Sequence, residues 1–338
     1  MKTITKVGLS ALAGALAFTS AHAGEMSVTG SMEASYTKKG GYNTTGQPLG
    51  MDKELSITGS GELDNGTTVS YKQTVTDAMA FNDSELVFSG LPGIGGSLAL
   101  TSTGSPIDAI DDKTPTAFEE ANAAVGSVKD VGGVNGTYGL RYTLADMFGS
   151  GQKLDVMYVF DHGAGDANAD NSAAAGTDSA EDGYDITLGG SVPFVDGLTY
   201  NVGYAVLNNN VLDGSLDDND VHNGTVNVNY AMGAFAIGVQ KSIVEIPGVS
   251  AAAFDATYDS EYIGISYAVN DNLSISYNEI EANKSLGGTD VTQDLDSISV
   301  SYTMGGMTIG ILDASADNAS YTVDRKQTAT SISLSVAF

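Results

Sequence analysis

Cysteine and tryptophan are both absent from this chain of 338 residues, and proline occurs only 6 times. Without cysteine there is no disulfide scaffold, no thiolate zinc site and no thiol catalysis. Basic residues are scarce: 14 Lys+Arg stand against 42 Asp+Glu, a formal net charge of −28. No basic stripe is available to neutralise phosphates, so nucleic acid is not a partner. Beyond the first twenty residues no apolar run is long enough for a membrane-crossing helix. Glycine (42) and tyrosine (16) are plentiful. Hydrophobic residues make up 42%, as in a soluble protein. One membrane class shares that composition, because its strands hide apolar residues in a period of two.

The N-terminus reads as an export signal. Lys2 and Lys6 form a basic start, Val7 to Phe18 is apolar, and Ala21-His22-Ala23 supplies the small-x-small cleavage pattern. We expect residues 1–23 to be removed, leaving 24–338 as a single domain. Loss of Lys2 and Lys6 then moves the net charge from −28 to −30.

The remaining chain alternates apolar with small or polar residues for about ten positions at a time, then turns. In 331–338 one face carries Ile332, Leu334, Val336 and Phe338, and the other three serines and an alanine. The same alternation recurs in Val28/Met32/Tyr36, Leu154/Val156/Tyr158, Ile263/Ile265/Tyr267 and elsewhere, sixteen segments in all. Short connections such as Asp64-Asn65-Gly66, Asn270-Asp271-Asn272 and Met304-Gly305-Gly306 alternate with long polar ones, among them 38–52, 102–135 and 281–295. Aromatic residues gather at the segment ends: Tyr142, Tyr200, Tyr230, Phe235, Tyr267 and Tyr302 at one level, Tyr36, Phe160, Tyr184 and Tyr277 at the other. Two aromatic levels around an apolar band mark a barrel in lipid, whereas a sandwich core would scatter its aromatics through strand middles. The expectation is an all-β, 16-stranded antiparallel up-and-down transmembrane barrel with long external loops and short periplasmic turns.

The Ala-x-Ala signal, sixteen strands, long third external loop and terminal Phe338 resemble the Gram-negative general porins, a family of sixteen-stranded trimeric diffusion channels. The resemblance covers the whole mature chain. It implies an outer-membrane location, no cofactor, passage of small hydrophilic solutes and ions, and assembly partners that read Ile332, Leu334, Val336 and Phe338. It also implies contact with lipid and lipopolysaccharide. Many members carry Pro-Glu-Phe-Gly-Gly in the third loop; Thr114-Pro115-Thr116-Ala117-Phe118-Glu119-Glu120 is only a loose echo. By the resemblance, loop 102–135 folds inward and brings Asp108, Asp111, Asp112, Glu119 and Glu120 to a constriction. The other reading is an external flap kept soluble by its acids.

Register places Lys72 and Arg141 inward, because Tyr71 and Tyr138/Leu140/Tyr142 face out. They suit either a transverse field against the loop acids or an ion pair pinning the loop. The family associates through its first and last strands. Here small outward residues Gly30, Ala34, Gly59 and Gly61 allow close approach of a neighbouring barrel, or relieve barrel curvature. His162 and His222 lie in acidic loops and form no Ser/His/Asp constellation, so no enzyme is expected. Asp213, Asp217, Asp218 and Asp220 have oxygen spacing that suits weak calcium binding, or form a solvated rim; no defined metal site is expected. The net charge predicts cation preference. The alternatives are a sugar- or divalent-cation-selective channel, and a secreted or surface β-rich binding protein that opens no pore.

Overall fold

The computed structural model describes residues 26–76, 81–134, 138–147, 149–160, 182–208, 220–248 and 254–338. The export signal, His162, Asp213, Asp217 and Asp218 lie outside the described residues. Asp220 lies just before the tenth strand.

Sixteen antiparallel strands close into one barrel in strict chain order. The first four are β1 (Met26–Gly41), β2 (Leu49–Glu62), β3 (Thr68–Val75) and β4 (Phe81–Ser89). They are followed by β5 (Ser97–Thr101), β6 (Gly139–Met147), β7 (Gln152–Val159) and β8 (Gly183–Ser191). Next come β9 (Leu198–Leu207), β10 (Val221–Met232), β11 (Phe235–Ile246) and β12 (Ala256–Asn270). The last are β13 (Leu273–Leu286), β14 (Thr289–Met304), β15 (Met307–Asp317) and β16 (Gln327–Ala337). Each of the sixteen alternating segments in the sequence falls within or at the edge of one strand. Closure pairs β1 with β16, from Ser31 opposite Ala337 to Gly41 opposite Gln327. Gly30 and Phe338 then exchange backbone hydrogen bonds of 2.8 and 3.0 Å.

The barrel is apolar outside. Val28, Leu55, Tyr158, Ile186, Val202, Ile237, Ile265, Tyr277 and Leu334 are all exposed and all on the outward phase of their strands. In water such a band would be an aggregation surface; against lipid it is the expected wall. Aromatic contacts reinforce the two levels: Phe235 and Tyr267 rings lie 4.5 Å apart at one end, Tyr158 and Phe160 5.0 Å apart at the other.

The strands outrun the alternating pattern at the external end. The long polar stretch read at 281–295 is mostly strand, because β13 and β14 run on to a turn at Gly287-Gly288, both at positive φ. Past the lipid both faces meet water, so the period of two fades while the ladder continues.

Candidate functional site

The segment between β5 and β6 leaves the wall and runs along the inside of the barrel, crossing it strand by strand. The backbone N–H of Ile107 donates to Asp185 Oδ2 on β8 at 2.9 Å, and Asn227 Nδ2 on β10 donates to the Ile110 carbonyl at 2.7 Å. Lys113 N–H donates to Gln240 Oε1 on β11 at 3.1 Å. Asn278 on β13 reaches Thr114 Oγ1, and the Ala117 N–H donates to Ser276 Oγ on the same strand at 2.9 Å. Phe118 N–H donates to Ser299 Oγ on β14 at 3.1 Å. The return limb is held too: Gly126 N–H donates to Gln327 Oε1 on β16, and Gln293 Nε2 on β14 donates to the Ser127 carbonyl at 3.0 Å.

Missing side chains make the trough in which the loop lies. A Cβ at Gly203 on β9 would sit 2.8 Å from Ile107, and one at Gly264 on β12 would sit 2.8 Å from both Thr114 and the Pro115 carbonyl. At Gly310 on β15 it would meet the Phe118 ring at 2.5 Å. Between these points the joint is apolar. Ala121, Val125 and Val128 pack with Ile280, Leu295, Leu312 and Ala314 of the inner wall, and Ile107 and Val131 pack with Ala205 and Val244. This barrel's core is therefore the seam between loop and wall. Burial of that apolar area, at about 25 cal/mol per Å², opposes the entropy of ordering so long a segment.

The predicted acids separate into two sets. Asp111 is 4% exposed and faces the wall. Its Oδ1 accepts from Gln240 Nε2 at 2.6 Å, Ser242 Oγ at 2.7 Å and Thr225 Oγ1 at 3.2 Å, and Oδ2 accepts from the Val131 N–H at 3.0 Å. A carboxylate with four donors is an anchor. Glu120 is buried as well and accepts from Thr114 Oγ1. On the lumen side, Asp108 is exposed, and Asp112 and Glu119 are half-buried. Burial, then the charges of Asp111, Glu120 and Asp130, push Asp112 up to about 7. Burial and the facing Glu33 of β1 raise the Glu119 carboxyl.

The opposite wall is bare. Register turns Glu33 of β1, Asp52 and Glu54 of β2, and Lys72 of β3 inward. Glu119 shares a pocket with Ser35, Thr37 and Lys39 of β1. Lys72 is exposed beside Thr58, Ser70 and Glu85. Arg141 points inward but forms an ion pair with Glu85 of β4, a wall residue, and no ion pair with the loop appears among the described residues. Inward acids on this wall (Glu33, Asp52, Glu54, Glu85) thus outnumber inward bases (Lys39, Lys72, Arg141).

The remaining sequence candidates face outward. Ile332 and Leu334 are exposed on β16, and Phe338 lies over Gly30, where a Cβ would come 2.7 Å from its ring. Val336 is half-buried between Met32 and Met307. Ala34 is exposed between Leu334 and Met51, while the space over Gly59 and Gly61 is open. His222 lies on β10 and not in a loop, opposite Glu245 of β11, and its Nδ1 is 2.7 Å from the Tyr204 hydroxyl. Sequence reasoning missed Glu33, Glu85 and Asp130 of the lumen, and the seam residues Ile280, Leu295 and Leu312. The last three carried a signal: each is apolar on the inward phase, where a water-filled lumen calls for polar side chains.

A closed 16-stranded barrel with an apolar outer band and an acidic loop docked inside is an outer-membrane channel. The sequence profile of the Gram-negative porin family matches residues 8–309, and the chain belongs to that family. Its place is the outer membrane of a Gram-negative bacterium. The chain is similar in fold to an anion-selective porin from Comamonas acidovorans, at 15% identity and a TM-score of 0.66 over 93% of this chain and 100% of that one. It is also similar to the trimer form of OmpT, an outer membrane protein of Vibrio cholerae, at 13% identity and a TM-score of 0.66 over 94% and 100%. Salmonella typhi OmpF, solved with daunomycin, gives 12% identity and a TM-score of 0.60 over 94% and 98%. No curated protein sequence matches the chain.

Proposed function

We propose that this porin is a passive, cation-preferring diffusion channel for small hydrophilic solutes and ions, working as a homotrimer without cofactor or catalysis. The observation that carries the preference is Glu119 on the loop, close enough to β1 for the charge of Glu33 to act on it, with Lys39 of β1 lining the same pocket. Arg141, the base nearest the start of β6, is compensated by Glu85. Fixed negative charge on both sides concentrates cations in a narrow aqueous passage, and salt screens the effect. Exposed Asp108 and half-buried Asp112 belong to the same constriction, and Lys72 tempers it. The test is a reversal potential across a planar bilayer in a gradient of dilute KCl. Cation selectivity that weakens at molar salt is expected; anion selectivity would overturn the reading.

The trimer rests on the outer face of β1 and β2. Gly59 and Gly61 leave open space there, Ala34 is small, and Gly30 is filled by the chain's own Phe338. Met32, Met51 and Leu55 are exposed around these small residues. A neighbouring barrel seated on this face would cover them. The OmpT neighbour, described as a trimer form, is consistent with it. Export by removal of residues 1–23, and recognition of Ile332, Leu334, Val336 and Phe338 by the barrel-assembly machinery, complete the proposal.

A further inference from the structure

The return limb of the loop carries Asp130 back beside Asp111 and Asp112, so that one carboxylate oxygen from each lies within 4.8 Å of the others. That spacing fits a single hard cation: calcium takes oxygen ligands at about 2.3–2.6 Å, so two ligands on one ion stand up to roughly 5 Å apart. Three acids on a loop would by themselves mean only a solvated surface. Buried oxygens beside them point further. Tyr262 is 1% exposed, and its hydroxyl makes no hydrogen bond to protein. It stands opposite Gln240 in the β11–β12 ladder, and Gln240 is the residue whose amide holds Asp111. The charges acting on that phenol are Asp112, Asp111, Asp130 and Glu120. Glu120 is 6% exposed; its Oε1 accepts from Thr114, and its Oε2 accepts from no protein donor. Asp112 Oδ1 is buried without a donor as well.

Buried oxygens left without a donor cost free energy, and here they lie among like charges. Lys113 and Lys129, next in sequence, are exposed; their charges act on Glu120 and Asp130, but neither forms an ion pair with these acids among the described residues. We propose that Asp111, Asp112 and Asp130 bind one divalent cation, calcium by preference, with Glu120 and the Tyr262 hydroxyl turned toward it. Calcium suits the site better than magnesium because the ligands are all oxygen and their arrangement is irregular, whereas magnesium demands near-ideal octahedral geometry. The ion would clip the outgoing limb of the loop at 111–112 to its return limb at 130, and place a positive charge among the acids. This site stands on the geometry of the docked loop and not on the charge preference of the pore, which is measured separately.

The test is a calorimetric titration of the detergent-solubilised native protein with calcium chloride after chelator treatment. One calcium per chain is expected, with Kd on the order of 10⁻⁴ M, the range of sites with few charged ligands. Asp112→Asn and Asp130→Asn should each weaken binding at least about tenfold, since each removes a charged oxygen ligand while leaving the Asp111 anchor in place. Native folding of both variants is checked by heat-modifiable migration in gels. A second measurement needs no variant: terbium bound at the site should emit on excitation through tyrosine, the chain having no tryptophan, and calcium should quench that emission by displacement. Absence of calcium binding, absence of tyrosine-sensitised emission, or binding that both folded variants retain at native strength would each overturn the proposal.

Discussion

The two halves of the barrel wall share one strand pattern and differ in what lies against them. On β1 and β2 the inward residues are exposed or half-buried: Asp52 and Glu54 are exposed, and Glu33, Ser35 and Thr37 are half-buried. On β13 the inward residues Ser276, Asn278, Ile280 and Ala282 are all buried beneath the loop, between 0% and 6% exposed. The difference originates in side-chain chemistry at positions of the same phase. Charged and hydroxyl residues keep water on the first wall. Glycines, buried amides and apolar residues on the second form a trough that binds a polypeptide segment. The passage is therefore eccentric, bounded by a charged wall on one side and a docked loop on the other.

The strongest way to break that asymmetry is to remove the anchor. Asp111→Ala leaves the buried Val131 N–H unpaired and strips Thr225, Gln240 and Ser242 of their shared acceptor, leaving them only their bonds to one another, at a cost of about 3 kcal/mol. Protection of the Val131 amide in hydrogen exchange should fall by roughly 100-fold while the strands of the barrel stay protected. Retention of native protection would mean the apolar seam holds the loop unaided. Next in size is Gly310→Leu, which drives a side chain into the Phe118 ring. Overpacking of about 1–3 kcal/mol should shift the loop toward the bare wall and lower single-channel conductance. Unchanged conductance would show that Phe118 can move without narrowing the passage.

Charge on the lumen side offers a finer cut. Glu119→Lys should reduce cation preference several-fold in dilute KCl, and Glu120→Lys is a poor substitute for it because Glu120 lies in the seam. Burial and Glu33 raise the Glu119 carboxyl, so it takes its proton at a pH above the ordinary glutamate range as acidity increases. Negative charge is present above that range and lost below it, so cation preference should begin to decline at a pH above about 4.3, the usual glutamate value. Glu119→Gln should remove that part of the profile; a profile it leaves intact belongs to other acids. The smallest effect on the channel is expected from Gly59→Leu with Gly61→Leu. These should weaken association of barrels in mild-detergent electrophoresis while single barrels still conduct.

Much of the fold was legible because lipid enforces a strict period: a residue such as Ile265 or Tyr158 must be apolar, and its neighbours in sequence must not be. All sixteen strands follow from that rule, as do the short turns. Their external ends do not, since β13 and β14 continue where lipid has ended and no phase is imposed. The loop was legible as long and acidic. Its interior arrangement was not, because whether Asp111 or Glu119 faces water depends on partners far away in the sequence. Gln240 and Ser242 for Asp111, and Glu33 for Glu119, meet them only when the barrel closes. Inward Gly203, Gly264 and Gly310 looked like generic small residues, and their use appears only with Ile107, Thr114 and Phe118 in place.

The loop that fills the trough also has a mechanical role. A thin cylindrical shell under side pressure fails first by flattening into an oval, and its resistance depends on bracing across the diameter. Attachments from Asp185 on β8 round to Gln327 on β16 tie more than half the circumference to a single chord. That arc is stiffened, and the arc from β1 to β6 is left as the compliant part of the cylinder. A neighbouring barrel seated on β1 and β2 would back that compliant arc from outside, so in a lone barrel the charged side of the passage is the side whose shape yields.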